Sequence, residues 1–67
     1  MYIVIELQTS NGTTAHIVTH HATREEAESK YHTVLAAAAV SNVEIHAATI
    51  LTAEGFQLMY QCYKHEA

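Results

Sequence analysis

The sequence predicts an α+β domain in which one helix packs on one face of a four-stranded, mainly antiparallel sheet, in the order strand-strand-helix-strand-strand. Apolar and polar residues alternate in two pairs of segments, which is the period of half-buried strands. A capped, alanine-rich segment typical of a helix lies between the two pairs. A chain of 67 residues can bury one small core, so we expect residues 1–67 to form a single domain.

The first two strands are predicted over residues 2–9 and 13–21, joined through Ser10-Asn11-Gly12. We expect a three-residue loop with Gly12 in the left-handed region, because that register gives an apolar face. In this register Ile3, Ile5 and Leu7 share a face of the sheet with Ala15, Ile17 and Thr19. A two-residue Asn11-Gly12 loop would instead set the same three side chains opposite His20, Val18 and His16.

The helix is predicted to begin after Thr23, because Thr23-Arg24-Glu25-Glu26 matches a capping box. It should end near Ser41 and carry a Glu26–Lys30 pair at i,i+4 spacing. Its apolar stripe comprises Ala27, Tyr31, Val34, Leu35 and Ala38.

The last two strands are predicted over residues 43–51 and 56–64, with a turn at Thr52-Ala53-Glu54-Gly55. A four-residue loop places Leu51 opposite Phe56. The face expected beneath the helix then carries Val43, Ile45, Ala47, Phe56, Leu58, Tyr60 and Cys62. A right-handed crossover allows the strand orders 2-1-3-4 and 2-1-4-3, and the sequence leaves both open.

One helix covers only one face of a sheet, so the other face is the predicted interaction surface. With 49% hydrophobic and only 15% charged residues, a chain this small gains most by associating. The small residues on the outer side of the helix would permit close approach of a second element. The candidate interface residues are Tyr2, Val4, His16, Val18, His20, His46, Ile50, Met59, Tyr63, Ala36 and Val40.

Composition argues against several classes of partner. The formal charge is −4, and the three cations Arg24, Lys30 and Lys64 are scattered, whereas nucleic-acid binding needs a basic stripe. The single cysteine, Cys62, excludes an intramolecular disulfide and favours a reducing compartment. The chain lacks an apolar run of about 20 residues and a basic start, so we expect a cytoplasmic protein without membrane contact.

The six histidines suggest metal binding, but their spacing does not support it. His16 and His20 lie about 13 Å apart along a strand, too far to share one ion. A site formed by His16, His46 and Glu6 would depend on the unresolved strand order. The expected cross-strand pairs, Glu6 with His16 and Tyr2 with His20, are typical of ordinary surface contacts. We therefore predict no metal, no cofactor and no enzymatic activity.

Three segments carry a resemblance to known proteins. They are the start Tyr2-Ile3-Val4-Ile5-Glu6, the helical run from Glu26 to Ser41, and the ending with Glu54-Gly55-Phe56 and Cys62-Tyr63-Lys64-His65. Together they resemble a group of short uncharacterised proteins of gut Clostridia and their phages, over nearly the whole chain. That group has no assigned activity, so the resemblance implies a prokaryotic or phage setting and transfers no functional residue.

The sequence thus favours a non-enzymatic interaction module that forms a homodimer or higher homo-oligomer, or that binds a host or phage protein. The alternative is a protein that binds or sequesters a small ligand, such as a signalling nucleotide, at a subunit interface. If the histidines lie in an interface, acid should weaken assembly, because imidazoles charge near pH 6.5.

Overall fold

The computed structural model describes residues 1–65 and confirms the predicted α+β fold. Its elements are β1 (Tyr2–Ser10), β2 (Thr13–His21), α1 (Arg24–Val40), β3 (Ile45–Thr52) and β4 (Gln57–Lys64). The strand order is β2-β1-β3-β4, and every neighbouring pair is antiparallel. Of the two orders that the sequence allowed, 2-1-3-4 is therefore the one adopted. Among residues 1–65, no helix has the length and apolar character needed to cross a membrane.

The β1–β2 hairpin closes with a two-residue loop, so the predicted three-residue loop is wrong. Ser10 pairs with Thr13, while Asn11 and Gly12 have φ angles of 55° and 78°. Positive φ at both central positions is the type I′ turn, whose twist matches that of the flanking strands. Asparagine and glycine are the residues that tolerate these angles best, so local turn chemistry decides the register.

The change of loop also changes the cross-strand neighbours. Glu6 lies opposite Ile17 rather than His16, and Tyr2 lies opposite His21 rather than His20. The two predicted polar pairs are therefore wrong.

Helix α1 begins as predicted. The Thr23 hydroxyl accepts a hydrogen bond of 3.2 Å from the backbone N–H of Glu26, which confirms the N-cap. The predicted stripe also faces the sheet: four of its members are buried and Leu35 is half-buried. The described i,i+4 ion pair joins Arg24 to Glu28 at 2.7 Å, not Glu26 to Lys30 as predicted.

The helix covers the opposite face of β1, β3 and β4 from the one predicted. The core joins Ala27, Tyr31 and Val34 of α1 to Val4, Ala48 and Ile50 of the sheet. Both faces of these strands carry large apolar residues, so periodicity alone does not tell which one is covered. Alanines of both layers are fully enclosed, since Ala27, Ala38 and Ala48 are at most 1% exposed.

Several candidate interface residues consequently lie beneath the helix. Val4 and Ile50 are 1% and 0% exposed, so neither is available to a partner. The candidates placed on the helix-covered face are Tyr2, Val4, His46, Ile50, Met59 and Tyr63. The remaining candidates stay accessible, because β2 keeps the predicted orientation: His16, Val18 and His20 face away from the helix, and Ala36 and Val40 are exposed on α1.

A β-bulge shifts the β3–β4 register from the predicted one. Leu51 pairs with Gln57 rather than Phe56, and Ile50 pairs with Met59. Leu58 is the extra residue between these pairs, and it packs against the core. The predicted β3 start at Val43 is also two residues early.

Candidate interaction surface

The sheet side turned away from α1 carries sixteen side chains, which we call the open face. The strand registers arrange them in four rows that cross the sheet from β2 to β4. The rows are His20-Ile3-Leu51-Gln57, Val18-Ile5-Thr49-Tyr60, His16-Leu7-Ala47-Cys62 and Thr14-Thr9-Ile45-Lys64.

Most of the open face is apolar. Leu7, Val18 and Tyr60 are 37%, 42% and 60% exposed, although other side chains of the open face flank each of them. The nine apolar members are contiguous across all four strands: Ile3, Ile5, Leu7, Val18, Ile45, Ala47, Leu51, Tyr60 and Cys62. An apolar patch that spans a whole sheet is typical of a binding surface rather than of a surface that stays exposed to solvent.

Hydroxyl groups on the open face bond to groups of the protein itself. The hydroxyls of Thr9 and Thr14 lie 2.8 Å apart across β1 and β2. Thr49 donates to the carbonyl of Met59 at 2.9 Å and accepts from the Gln57 amide at 2.9 Å. These groups therefore lose little when water is excluded from the face.

The open face has no carboxylate among residues 1–65. Lys64 at one corner is its only fixed charge, and His16 and His20 line the opposite edge. A hydrogen bond with the Cys62 thiol, followed by the charge of that thiol when ionised, raises the pKa of Tyr60 above its ordinary value. The phenol therefore stays neutral at physiological pH.

The two edges of the sheet differ in their protection. β4 carries a bulge near its start and Lys64 at its end, two features that discourage further strand pairing. β2 runs for nine residues without a bulge, a proline or a Lys, Arg, Asp or Glu. Its neighbouring side chains Ile17 and Val18 point to opposite faces and are 50% and 42% exposed.

A polar group lies on the helix-covered side of the sheet. The Nε2 atom of His46 donates to the Glu6 carboxylate at 2.5 Å, and the Gln8 amide donates to the same oxygen at 2.9 Å. His46 is 4% exposed, and its Nδ1 atom is buried without a hydrogen-bond partner among residues 1–65. Glu6 and His46 thus form a side-chain pair that replaces the predicted Glu6–His16 contact.

The C-terminal end of α1 is held by His65, the residue that follows β4. His65 Nε2 donates to the carbonyl of Ala38 at 2.8 Å, and its ring stacks on Tyr63. The same carbonyl also accepts the backbone N–H of Ser41 at 3.3 Å, so His65 adds a second hydrogen bond at the helix end. Burial, and then the neighbouring Tyr63 phenol, raise the pKa of Tyr31 above its ordinary value.

Residues 1–65 form no pocket and contain no cluster of three or more His, Cys, Asp or Glu that would hold a metal ion. His16, one member of the conceivable His16, His46 and Glu6 set, lies on the other face of the sheet from the remaining two. Comparison with known proteins gives no match to a family model, to a curated protein or to a solved structure. The local geometry therefore carries the functional argument.

Sequence reasoning missed the members of the open face that come from β1 and β3, together with Tyr60 and Cys62 of β4. The predicted three-residue loop places Ile3, Ile5 and Leu7 beneath the helix because that register gives an apolar face, and the predicted four-residue β3–β4 loop places Leu51 opposite Phe56 on the same face. The Asn11-Gly12 dipeptide was the signal for the register, because it favours a type I′ turn. With that turn, Ile3, Ile5 and Leu7 share a face with His16, Val18 and His20.

Proposed function

We propose that this chain is a small, non-enzymatic interaction module, of prokaryotic or phage origin, whose open face binds a second copy of itself. One observation carries the proposal: nine contiguous apolar side chains occupy a sheet face that the single helix leaves uncovered. The face is also self-compatible. Among residues 1–65 it carries no carboxylate and one fixed charge, so two copies meet with little electrostatic cost.

The dimensions of the face suit a homodimer. Four strands about 4.8 Å apart and eight residues at about 3.3 Å each give roughly 500 Å² per copy. Two copies then bury about 1,000 Å², which is the lower limit for a specific interface. Sheets packed in this way lie about 10 Å apart, with side chains of the two faces interdigitating.

Light scattering on a sizing column tests the proposal with a matched pair of variants. Leu7→Glu places a charge on the open face at a position that is already 37% exposed, so the fold should tolerate it. Gln61→Glu places the same charge on the helix side of β4, where the side chain is exposed. At micromolar concentration we expect Leu7→Glu to lower the mass of the assembly and Gln61→Glu to leave it unchanged. A wild-type mass of 7.4 kDa, that of one chain, would contradict the proposal.

Other occupants of the open face would be recognised by different results. A host or phage protein would leave the purified chain as a monomer and appear as a second polypeptide after isolation from the producing cells. A ligand held between copies, such as a signalling nucleotide, would appear as additional mass in native mass spectrometry. Either outcome would replace the self-association proposed for this face.

A further inference from the structure

The free edge of β2 forms a second surface, distinct from the open face. The turn Ser10–Thr13 directs the N–H of Thr13 towards Ser10 on β1. Hydrogen-bonding direction alternates along a strand, so the odd-numbered residues of β2 bond to β1. The backbone groups of the even-numbered residues, Thr14, His16, Val18 and His20, therefore point outward from the sheet.

We infer that β2 pairs antiparallel with β2 of a second copy, which joins the two sheets into one of eight strands. β2 spans Thr13–His21, so its midpoint is Ile17. A twofold axis at Ile17 aligns the entire strand with its counterpart, and no other centre pairs all four outward residues. His16 then lies opposite Val18 of the second copy, and Thr14 lies opposite His20, giving eight backbone hydrogen bonds by the antiparallel pattern, about two for each of the four pairs.

This register also buries the most exposed aliphatic side chain of the edge. Ile17 meets Ile17 of the second copy in a non-hydrogen-bonded pair, where opposing Cα atoms approach to about 4.5 Å. Each Ile17 is 50% exposed in the single chain, because α1 packs on Val4, Ala48 and Ile50 and does not extend over the edge. The pairing thus covers an apolar side chain that the fold leaves in water.

Charge and space permit the pairing. β2 carries no Lys, Arg, Asp or Glu, so no like charges face each other across the twofold axis at neutral pH. With α1 above β1 and β3, the two helices would lie about 19 Å apart, across four strand spacings of about 4.8 Å. Helices in contact lie 8–10 Å apart, so these two do not collide.

The inference does not depend on open-face packing, since the two surfaces use different groups. Used together, they would produce a closed assembly of four chains with two eight-stranded sheets face to face. Used alone, each would produce a dimer. Disrupting the edge should therefore leave a face-to-face dimer, and disrupting the face with Leu7→Glu should leave an edge dimer.

Amide hydrogen exchange measured by NMR tests the edge directly. At high concentration we expect the amides of Thr14, His16, Val18 and His20 to exchange at least about tenfold more slowly than on dilution to the monomer. Ile17→Lys should abolish this difference by placing two charges at the twofold axis. The control Gln61→Lys, in the same cross-sheet row but at the β4 edge, should preserve it.

A second pair of variants keeps the test decisive if Ile17→Lys fails to fold. His16→Pro removes an outward N–H and spares the β1–β2 ladder, whereas His16→Ala removes only the imidazole. We expect the proline variant alone to lose the slow exchange. Fast exchange of the four outward amides at every concentration would overturn the inference, as would protection that survives both Ile17→Lys and His16→Pro.

Discussion

Glu6 and His46 share a hydrogen bond of 2.5 Å beneath the helix, where the two side chains are 14% and 5% exposed. A carboxylate only accepts hydrogen bonds, so Nε2 of His46 carries the shared hydrogen. The pair joins polar groups of the neighbouring strands β1 and β3 on the sheet face that α1 covers. It belongs to the structure of the domain rather than to the open face.

Removal of Glu6 should destabilise the domain because it leaves the His46 ring buried and without a partner. We expect Glu6→Ala to lower the free energy of unfolding by about 2–3 kcal/mol. The double variant Glu6→Leu/His46→Leu should cost less than the sum of its single substitutions, because neither polar group is then stranded. Chemical denaturation of the wild type, Glu6→Ala, the two single leucine variants and the double variant checks this, and strictly additive losses of the leucine variants would contradict the proposed coupling.

Alkaline pH should destabilise the domain through Tyr31, whose pKa burial raises. The folded state holds this proton at a pH where the unfolded chain has released it, so stability falls as pH rises past about 10. Tyr31→Phe should reduce that loss, measured by urea denaturation between pH 8 and pH 11. Tyr2→Phe serves as the control, because Tyr2 is half-buried on the sheet face that α1 covers. An equal alkaline loss in the wild type and in Tyr31→Phe would contradict the prediction.

The order and kind of the elements follow from local sequence signals. Thr23 and Glu26 fix the start of α1 because one hydroxyl satisfies a free N–H, an interaction within four residues. The apolar stripe of the helix is equally local, and Tyr31 and Val34 lie where the 3.6-residue period puts them. These features do not depend on the rest of the chain.

The covered face of the sheet depends on contacts distant in sequence. Val4 and Ile5 are similar in shape and point to opposite faces, so alternation does not distinguish the buried residue from the exposed one. The decision comes from the burial of Ala27 and Ala48 in one core, and from the pairing of Glu6 with His46. None of these contacts is visible in a single strand, which is why Ile50 was assigned to the wrong face.

The bulge at Leu58 and the contact of His65 with Ala38 also escaped prediction. The bulge follows from the loop geometry between β3 and β4, which places Leu51 opposite Gln57. The His65 contact spans 27 residues along the chain, and no local signal pairs an imidazole with a distant helix end. Hydrogen bonds between polar groups that are far apart in the sequence are therefore the part of this fold that is hardest to predict.

Acid should dissociate the assembly. His16 and His20 lie on the open face with Lys64, and no carboxylate among residues 1–65 shares that face. Each imidazole that is protonated in acid adds a positive charge to a face that already carries Lys64, so like charges would oppose each other where the copies meet. Sedimentation velocity should show smaller species at pH 5 than at pH 7.5. The double variant His16→Gln/His20→Gln should remain assembled at pH 5, and equal dissociation of this variant would refute the role of the two rings.

The central claim is that the open face of one copy packs on the open face of another. Isotope-filtered NOE spectra of a one-to-one mixture of ¹³C-labelled and unlabelled chains measure that contact directly. We predict intermolecular NOEs from the methyl groups of Ile5 and Leu7 to open-face side chains of the second copy. Intermolecular NOEs confined to the outer side of α1, around Ala36 and Val40, would contradict the claim. A sample that sediments as a monomer at the NMR concentration and gives no intermolecular NOEs would contradict it as well.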